Sequence, residues 1–196
     1  MTVEGDEVGK RGRLIVVSGP SGAGKSTIIG RVLSQRPELR YAISFTTRPP
    51  RGEERDGVDY HFVTEATFRK KIQEGEFAEW AQVHGYFYGT SAYYIEENLS
   101  RGRDVVVDVD TQGAKRLLSE YEEAISVFVS PPTMEALEDR LVARETDFPE
   151  VIERRLRNAR EEMKQMNHYT HILVNDELDK AVSRFEAILN EEHARG

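Results

Sequence analysis

The chain has 196 residues, 38% of them hydrophobic and 32% charged, with a formal net charge of -8. Those proportions describe one well-buried globular core, and the acidic balance disfavours nonspecific binding to nucleic acid or to an anionic membrane. Cysteine is absent, which excludes disulfides, thiolate nucleophiles and cysteine-bound metals together, and no run approaches the ~18 apolar residues of a membrane span.

Residues 1–12 are polar, without periodicity or the apolar centre of a signal peptide, so a flexible tail on a cytoplasmic protein is expected. The apolar run Leu14 to Val17 then predicts a strand, and GPSGAGKST follows it directly. This is the template G-x-x-x-x-G-K-[ST], with a strand before it and a helix to about Gln35 after it. The spacing suits a phosphate cradle formed by Gly19, Pro20, Ser21, Gly22, Ala23, Gly24, Lys25, Ser26 and Thr27. Backbone N–H groups converge there on an anion at a helix N-terminus. Lys25 adds a full positive charge, and the Ser26 hydroxyl is placed to ligate the magnesium ion that accompanies ATP.

Tyr41 to Phe45 alternates like a short strand, and SFTTRPPRG follows from Ser44. Pro49 and Pro50 stiffen an extended loop carrying Arg48 and Arg51 beside the hydroxyls of Ser44, Thr46 and Thr47. Taken alone, this segment fits a second phosphate grip and a solvated basic loop equally well. Tyr60 to Val63 reads as a short aromatic strand, and Thr64 caps a helix through Phe68 and Ile72. Phe77 to Thr90 reads as a hairpin turning at Gly85, whose aromatics Trp80, Tyr86, Phe87 and Tyr88 are expected mostly in the core.

A helix is predicted from Ser91 to about Arg101, then a buried strand ending in Asp108 and Asp110. Acids at the carboxyl end of a strand are site candidates in an open α/β sheet, with capping of the next helix as the alternative. Ala124 to Val129 predicts another strand, and Thr133 starts a helix toward Glu145. Arg140, Arg144, Arg154, Arg155 and Arg157 surround the turn-like Thr146 to Pro149. That set fits a lid closing over phosphates, while ion pairs along a solvated helix account for some of it. A strand at His171 to Val174 and a helix from about Glu177 to Glu192 complete the chain. His168 and His171 lack a metal-ligand pattern.

Five motifs in this order resemble the guanylate kinase family: GPSGAGKST, SFTTRPPRGEERDGVDYHF, FAEWAQVHGYFYGT, VVVDVDTQG and ILVNDELDKA. The resemblance covers Leu14 to about Leu189. It implies an α/β fold with a P-loop parallel-sheet core and helices on both faces (about 13–43, 91–139 and 167–196). A small mixed β GMP-binding insertion (about 44–90) and a helical lid (about 140–166) would complete it. It implies transfer of a phosphoryl group from ATP to GMP with Mg²⁺, dGMP being a further expected acceptor.

By the same resemblance, Arg48, Arg51, Ser44 and Tyr60 hold the GMP phosphate, and Glu79, Tyr88, Gly89, Thr90 and Asp110 surround the guanine. Lys25, Arg48, Arg140, Arg144 and Arg155 carry catalysis, Asn175 and Asp176 border the adenine, and Asp108 reaches the metal through water. The chemistry agrees: carboxylates accept from guanine N1–H and N2 while a hydroxyl donates to O6, a pattern adenine cannot meet. Many family members carry R-G-[TQ] where this chain has Arg144, Glu145 and Thr146, which is expected to stiffen the lid hinge. A scaffold domain of the same fold that binds partner proteins, or a related kinase for another phosphorylated acceptor, remain the competing readings.

Overall fold

The computed structural model of the chain describes residues 10–83, 85–143 and 149–195. β1 (Leu14–Ser18) is buried along its whole length, as an apolar run inside a parallel sheet must be. It is the middle strand of a five-stranded parallel sheet ordered β2 (Arg40–Tyr41), β7 (Val105–Asp108), β1, β8 (Ile125–Ser130), β9 (His171–Val174). Alternation then fills two cores. Ile15 and Val17 pack with Ile28 and Val32 of α1 (Lys25–Gln35) and with Phe185 and Ile188 of α7 (Leu178–Arg195). Leu14 and Val16 pack with Ile95 and Leu99 of α3 (Ala92–Ser100) and Leu117 of α4 (Thr111–Glu120). The result is the α/β core with helices on both faces.

A second sheet, ordered β4 (His61–Phe62), β3 (Phe45–Thr46), β6 (Tyr86–Ser91), β5 (Phe77–Val83), is mixed, with β3 and β4 parallel and the other pairs antiparallel. One face is covered by α2 (Glu65–Gln73), whose Phe68 ring lies 4.6 Å from that of Phe77 and 5.4 Å from that of Phe87. Strict alternation would put Phe77 and Glu79 on one face. A register shift between them turns Phe77 toward α2 and leaves Glu79 on the opposite, open face, as bulges beside functional sites do.

Two expectations are corrected here. Tyr41 to Phe45 is not one strand: Arg40 and Tyr41 pair with β7, whereas Phe45 and Thr46 pair with β4 and β6. Alternation records which residues share a face, and five residues carry no signal of a change of partner. The hairpin aromatics are not mostly core, because Phe87 is buried while Tyr86 is exposed, Trp80 is half-covered and Tyr88 faces the open side. Period two places Tyr86 and Tyr88 opposite Phe87, and the Arg116 guanidinium, 5.2 Å from the Trp80 ring centre, covers that indole in place of the core.

Caps sit where their residue types predict. Thr64, Ser91, Asp110 and Thr133 each accept a hydrogen bond from the backbone N–H three residues on, starting α2, α3, α4 and α5 (Met134–Val142). α5 and α6 (Pro149–Met163) share their own small core of Leu137, Leu141, Leu156 and Ala159. Arg144, Glu145 and Thr146 lie outside the described residues. Of the expected N-terminal tail, Gly12 donates its N–H to the Leu99 carbonyl at 2.9 Å and Arg11 pairs with Glu96 at 2.6 Å, so the chain is already anchored there. Among the described residues no helix is long and apolar enough to cross a membrane.

Candidate active site

The carboxyl ends of β1 and β7 open into a cleft of about 640 Å³, walled on its far side by the open face of the second sheet. Gly24 starts α1 in the left-handed conformation, with φ of 94°. A side chain there would strike Asn175, whose Nδ2 donates to the Ala23 carbonyl at 2.7 Å and braces the loop. Lys25 curls over the loop, donating to the Gly19 carbonyl at 2.7 Å, with its Nζ 3.8 Å from Asp108. Burial pushes the Asp108 carboxyl up, and Lys25 opposes that shift. Gly19, Ser21, Gly22, Gly24 and Ser26 reach the cleft with Lys25, whereas Pro20 and Ala23 are buried beneath it and Thr27 points to solvent.

Opposite the loop, Arg48 is 5% exposed and forms a two-pronged ion pair with Glu54, at 2.9 Å for each contact. Its Nε donates to the Tyr88 hydroxyl at 3.2 Å. Burial raises the Glu54 carboxyl, yet the hydrogen bonds from Arg48 and the Arg51 amide outweigh it and hold Glu54 below its ordinary value. Arg51 is exposed at the cleft rim, and Ser44 lines the wall beneath it. Burial, with Asp108 nearby, pushes the Tyr60 phenol up to about 12, so it stays a hydrogen-bond donor at neutral pH. A cation and a donor aimed into one polar corner make an anion site.

At the other end of the same wall, Glu79 is 4% exposed and accepts from the Thr90 hydroxyl at 2.7 Å, while Thr90 and Ser44 hydroxyls lie 3.5 Å apart. Asp110 both caps α4, accepting from Gly113 N–H at 2.8 Å, and faces the cleft, so the two roles open to it in the sequence coexist. Gly89 presents its bare Cα to Phe68 and Phe77, on the α2 side of the sheet. Burial first, then Asp110, pushes Glu79 up to about 7. The family resemblance implies that the ionised form accepts from guanine, in which case the KM for GMP would rise by about fivefold as pH falls from about 7 to about 6. Glu79→Gln removes that dependence, leaving only the part due to protonation of the GMP phosphate itself, as KM-against-pH profiles of the two proteins would show.

Gly113 is a site residue that the pattern alone does not announce. A Cβ there would lie 2.5 Å from a Glu79 carboxylate oxygen, so the missing side chain is what lets Glu79 reach the start of α4. Gly113→Ala therefore separates stability from function. Alanine favours the helix by up to about 1 kcal/mol, offsetting the strain, while a displaced Glu79 raises the KM for GMP by about tenfold. Thermal unfolding and steady-state kinetics on one preparation check both halves.

On α5, the Arg140 guanidinium donates to the Asn175 carbonyl at 2.7 Å through one nitrogen. The other is buried without a hydrogen-bond partner among the described residues, and Arg140 does not line the cleft. Arg155 faces the cleft from α6, as do Asn158 and Glu162. Arg157 instead pairs with Glu153 at 3.6 Å along the helix, as a solvated face would have it. Asn175 is buried, and Asp176 is exposed beside it; neither reaches the cleft. Glu54 and Glu162 escaped the sequence reading because each is one acid among many in a charge-rich stretch. The available signals were Glu54 three residues after Arg51 and Glu162 seven after Arg155, on one helix face.

A model of the guanylate kinase family matches residues 11–192. The chain is 46% identical over 185 residues to a guanylate kinase of Symbiobacterium thermophilum, covering 94% of this chain and 88% of that protein. It is 45% identical to a guanylate kinase of Syntrophotalea carbinolica, covering 95% and 89%. A crystal structure of guanylate kinase from Anaplasma phagocytophilum superimposes with a TM-score of 0.80 at 30% identity, covering 94% of this chain and 87% of that one.

Proposed function

We infer, since the chain belongs to the guanylate kinase family and so phosphorylates GMP to GDP with ATP, that two separate cationic grips bring the nucleotides end to end. The observation that carries this reading is that a single cleft has the Lys25 loop on one side and Arg48 and Glu79 on the other, with Asp110 at the start of α4 lining it as well. ATP phosphates belong on the N–H groups of the loop, with Lys25 leaving the Gly19 carbonyl for the β/γ oxygens. The unpartnered Arg140 nitrogen and Arg155 supply further positive charge as the lid closes, with Arg144 expected to join them. The adenosine lies toward Asn175 and Asp176. The three segments then act as a core, a GMP-binding insertion over 44–90 and a lid over 140–166.

GMP needs no base to activate it, because its phosphate already offers a nucleophilic oxygen. Its phosphate goes to Arg48, Arg51, Tyr60 and Ser44, with Arg48 exchanging part of its Glu54 pairing for the ligand and Tyr88 steadying its Nε. Guanine sits against Glu79, Asp110 and Thr90. A hydroxyl at Ser26 and a carboxylate at Asp108 are hard oxygen ligands that fit Mg²⁺, Ser26 directly and Asp108 through water. That ion supplies charge neutralisation on the phosphates. The protein's own part is alignment, preorganised positive charge and exclusion of water that would otherwise hydrolyse ATP.

An ADP-release assay across GMP, AMP, CMP and UMP tests the assignment. The expected preference for GMP over AMP is about 10⁴ in kcat/KM, because adenine leaves the buried carboxylates unpaired. Equal turnover of all four would reject it. dGMP is expected as an acceptor, since none of the groups assigned to the base or phosphate depends on the sugar.

A further inference from the structure

Glu162 is a carboxylate in a cleft that must take two polyanions, and no contact assigned to either nucleotide involves it. It stands on the face of α6 shared with Arg155 and Asn158, and lines both the main cleft and an adjoining cavity of about 780 Å³ between α4, α6 and the hairpin. The side chain is half-buried and makes no hydrogen bond or ion pair among the described residues. Burial pushes it up to about 7, Lys25 pulls it back and Asp110 adds to the rise, so it lies within electrostatic reach of both. A desolvated acceptor without a partner is a cost that a bound ligand can relieve.

The ligand's own chemistry narrows what that partner is. Phosphate oxygens only accept, and a carboxylate repels them. Guanine's N–H donors belong to Glu79 and Asp110. The remaining donors on GMP are the ribose hydroxyls, and Glu162 lines the same cleft as Asp110 and Arg48, the groups assigned to the base and the phosphate that flank that ribose. The ATP ribose is expected beyond the loop, toward Asn175. We propose that Glu162 accepts a hydrogen bond from a ribose hydroxyl of the acceptor nucleotide, so that α6 reads the sugar as well as the transferred phosphoryl group.

This rests on the GMP kinase reading, and the test separates the two. Dideoxy-GMP, which lacks both sugar hydroxyls, is compared with GMP in the intact enzyme and in Glu162→Ala and Glu162→Gln, with dATP against ATP as the donor control. A hydrogen bond to a charged acceptor predicts that the intact enzyme favours GMP over dideoxy-GMP by about tenfold in kcat/KM. In Glu162→Ala the preference falls to within about twofold, and Glu162→Gln, which keeps one acceptor oxygen, restores part of it. The ATP-to-dATP ratio is the same in all three. A residue that only tunes Lys25 or steadies the lid would lower both acceptors equally and leave their ratio unchanged, and that result would overturn the inference. No preference for GMP in the intact enzyme would overturn it too, whereas failure to phosphorylate GMP at all would sink the functional reading beneath it.

Discussion

Lys25→Met lowers kcat by about 10³ while leaving the fold intact, as expected for a preorganised charge aimed at a group that becomes more negative in the transition state. Among the described residues the side chain's polar contacts are with the loop, to the Gly19 and Pro20 carbonyls, and one ion pair with Asp108 at 3.8 Å. None of these joins one secondary-structure element to another except the last, so methionine, which matches the length without the charge, costs little stability. Removing the cation does leave Asp108 more easily protonated, since Lys25 is what opposes its burial. The loss falls mainly in kcat, with a smaller rise in the KM for ATP, because the interaction strengthens as charge spreads over the moving phosphoryl group. Single-turnover measurements, with circular dichroism as a control on folding, check it.

Glu79→Gln has an effect of similar size on the other substrate, and of opposite sign on stability. The amide turns one acceptor into a donor facing guanine's own donors, so kcat/KM for GMP falls by about 10³, while the slow turnover of AMP changes little. Stability moves the other way. Glu79 is shifted from its ordinary 4.5 to about 7 in the folded protein, so folding is favoured below pH 4.5, where both states are protonated, and that advantage is lost as pH rises through 7. Above pH 7 the buried carboxylate costs on the order of 3 kcal/mol that glutamine does not incur. Denaturant midpoints above and below neutrality should therefore show the variant more stable than the parent only at the higher pH. The proposed contact with guanine would give a reason for keeping a carboxylate that costs the fold stability above pH 7.

The strand, loop and helix around Gly19 to Ser26 were legible because glycine spacing, a following Lys-Ser pair and an apolar approach each constrain the same turn. Thr64, Ser91 and Thr133 were legible for a similar reason: a cap acts locally, and its residue type is its signal. The bulge that swings Glu79 away from Phe77 was not, since a register shift depends on the partner strand and leaves the sequence looking like ordinary alternation. Nor was the pairing of Arg48 with Glu54, which follows from the path of the loop carrying both. Gly113 could be suspected from a glycine in the first turn of a helix, where it weakens the helix, but only the approach of Glu79 supplies the reason.

Guanosine and adenosine are expected to enter opposite ends of one cleft with their phosphates meeting over Lys25. A crystal structure with a bisubstrate analogue, the two nucleosides joined by a polyphosphate chain, addresses it directly. Guanine should lie against Glu79 and Asp110, its adjacent phosphate within hydrogen-bond reach of Arg48, Arg51 and Tyr60, and the chain should run across Gly19 to Ser26 toward Asn175. Guanosine found at the Asn175 end, or its phosphate out of reach of Arg48 and Arg51, would contradict the account.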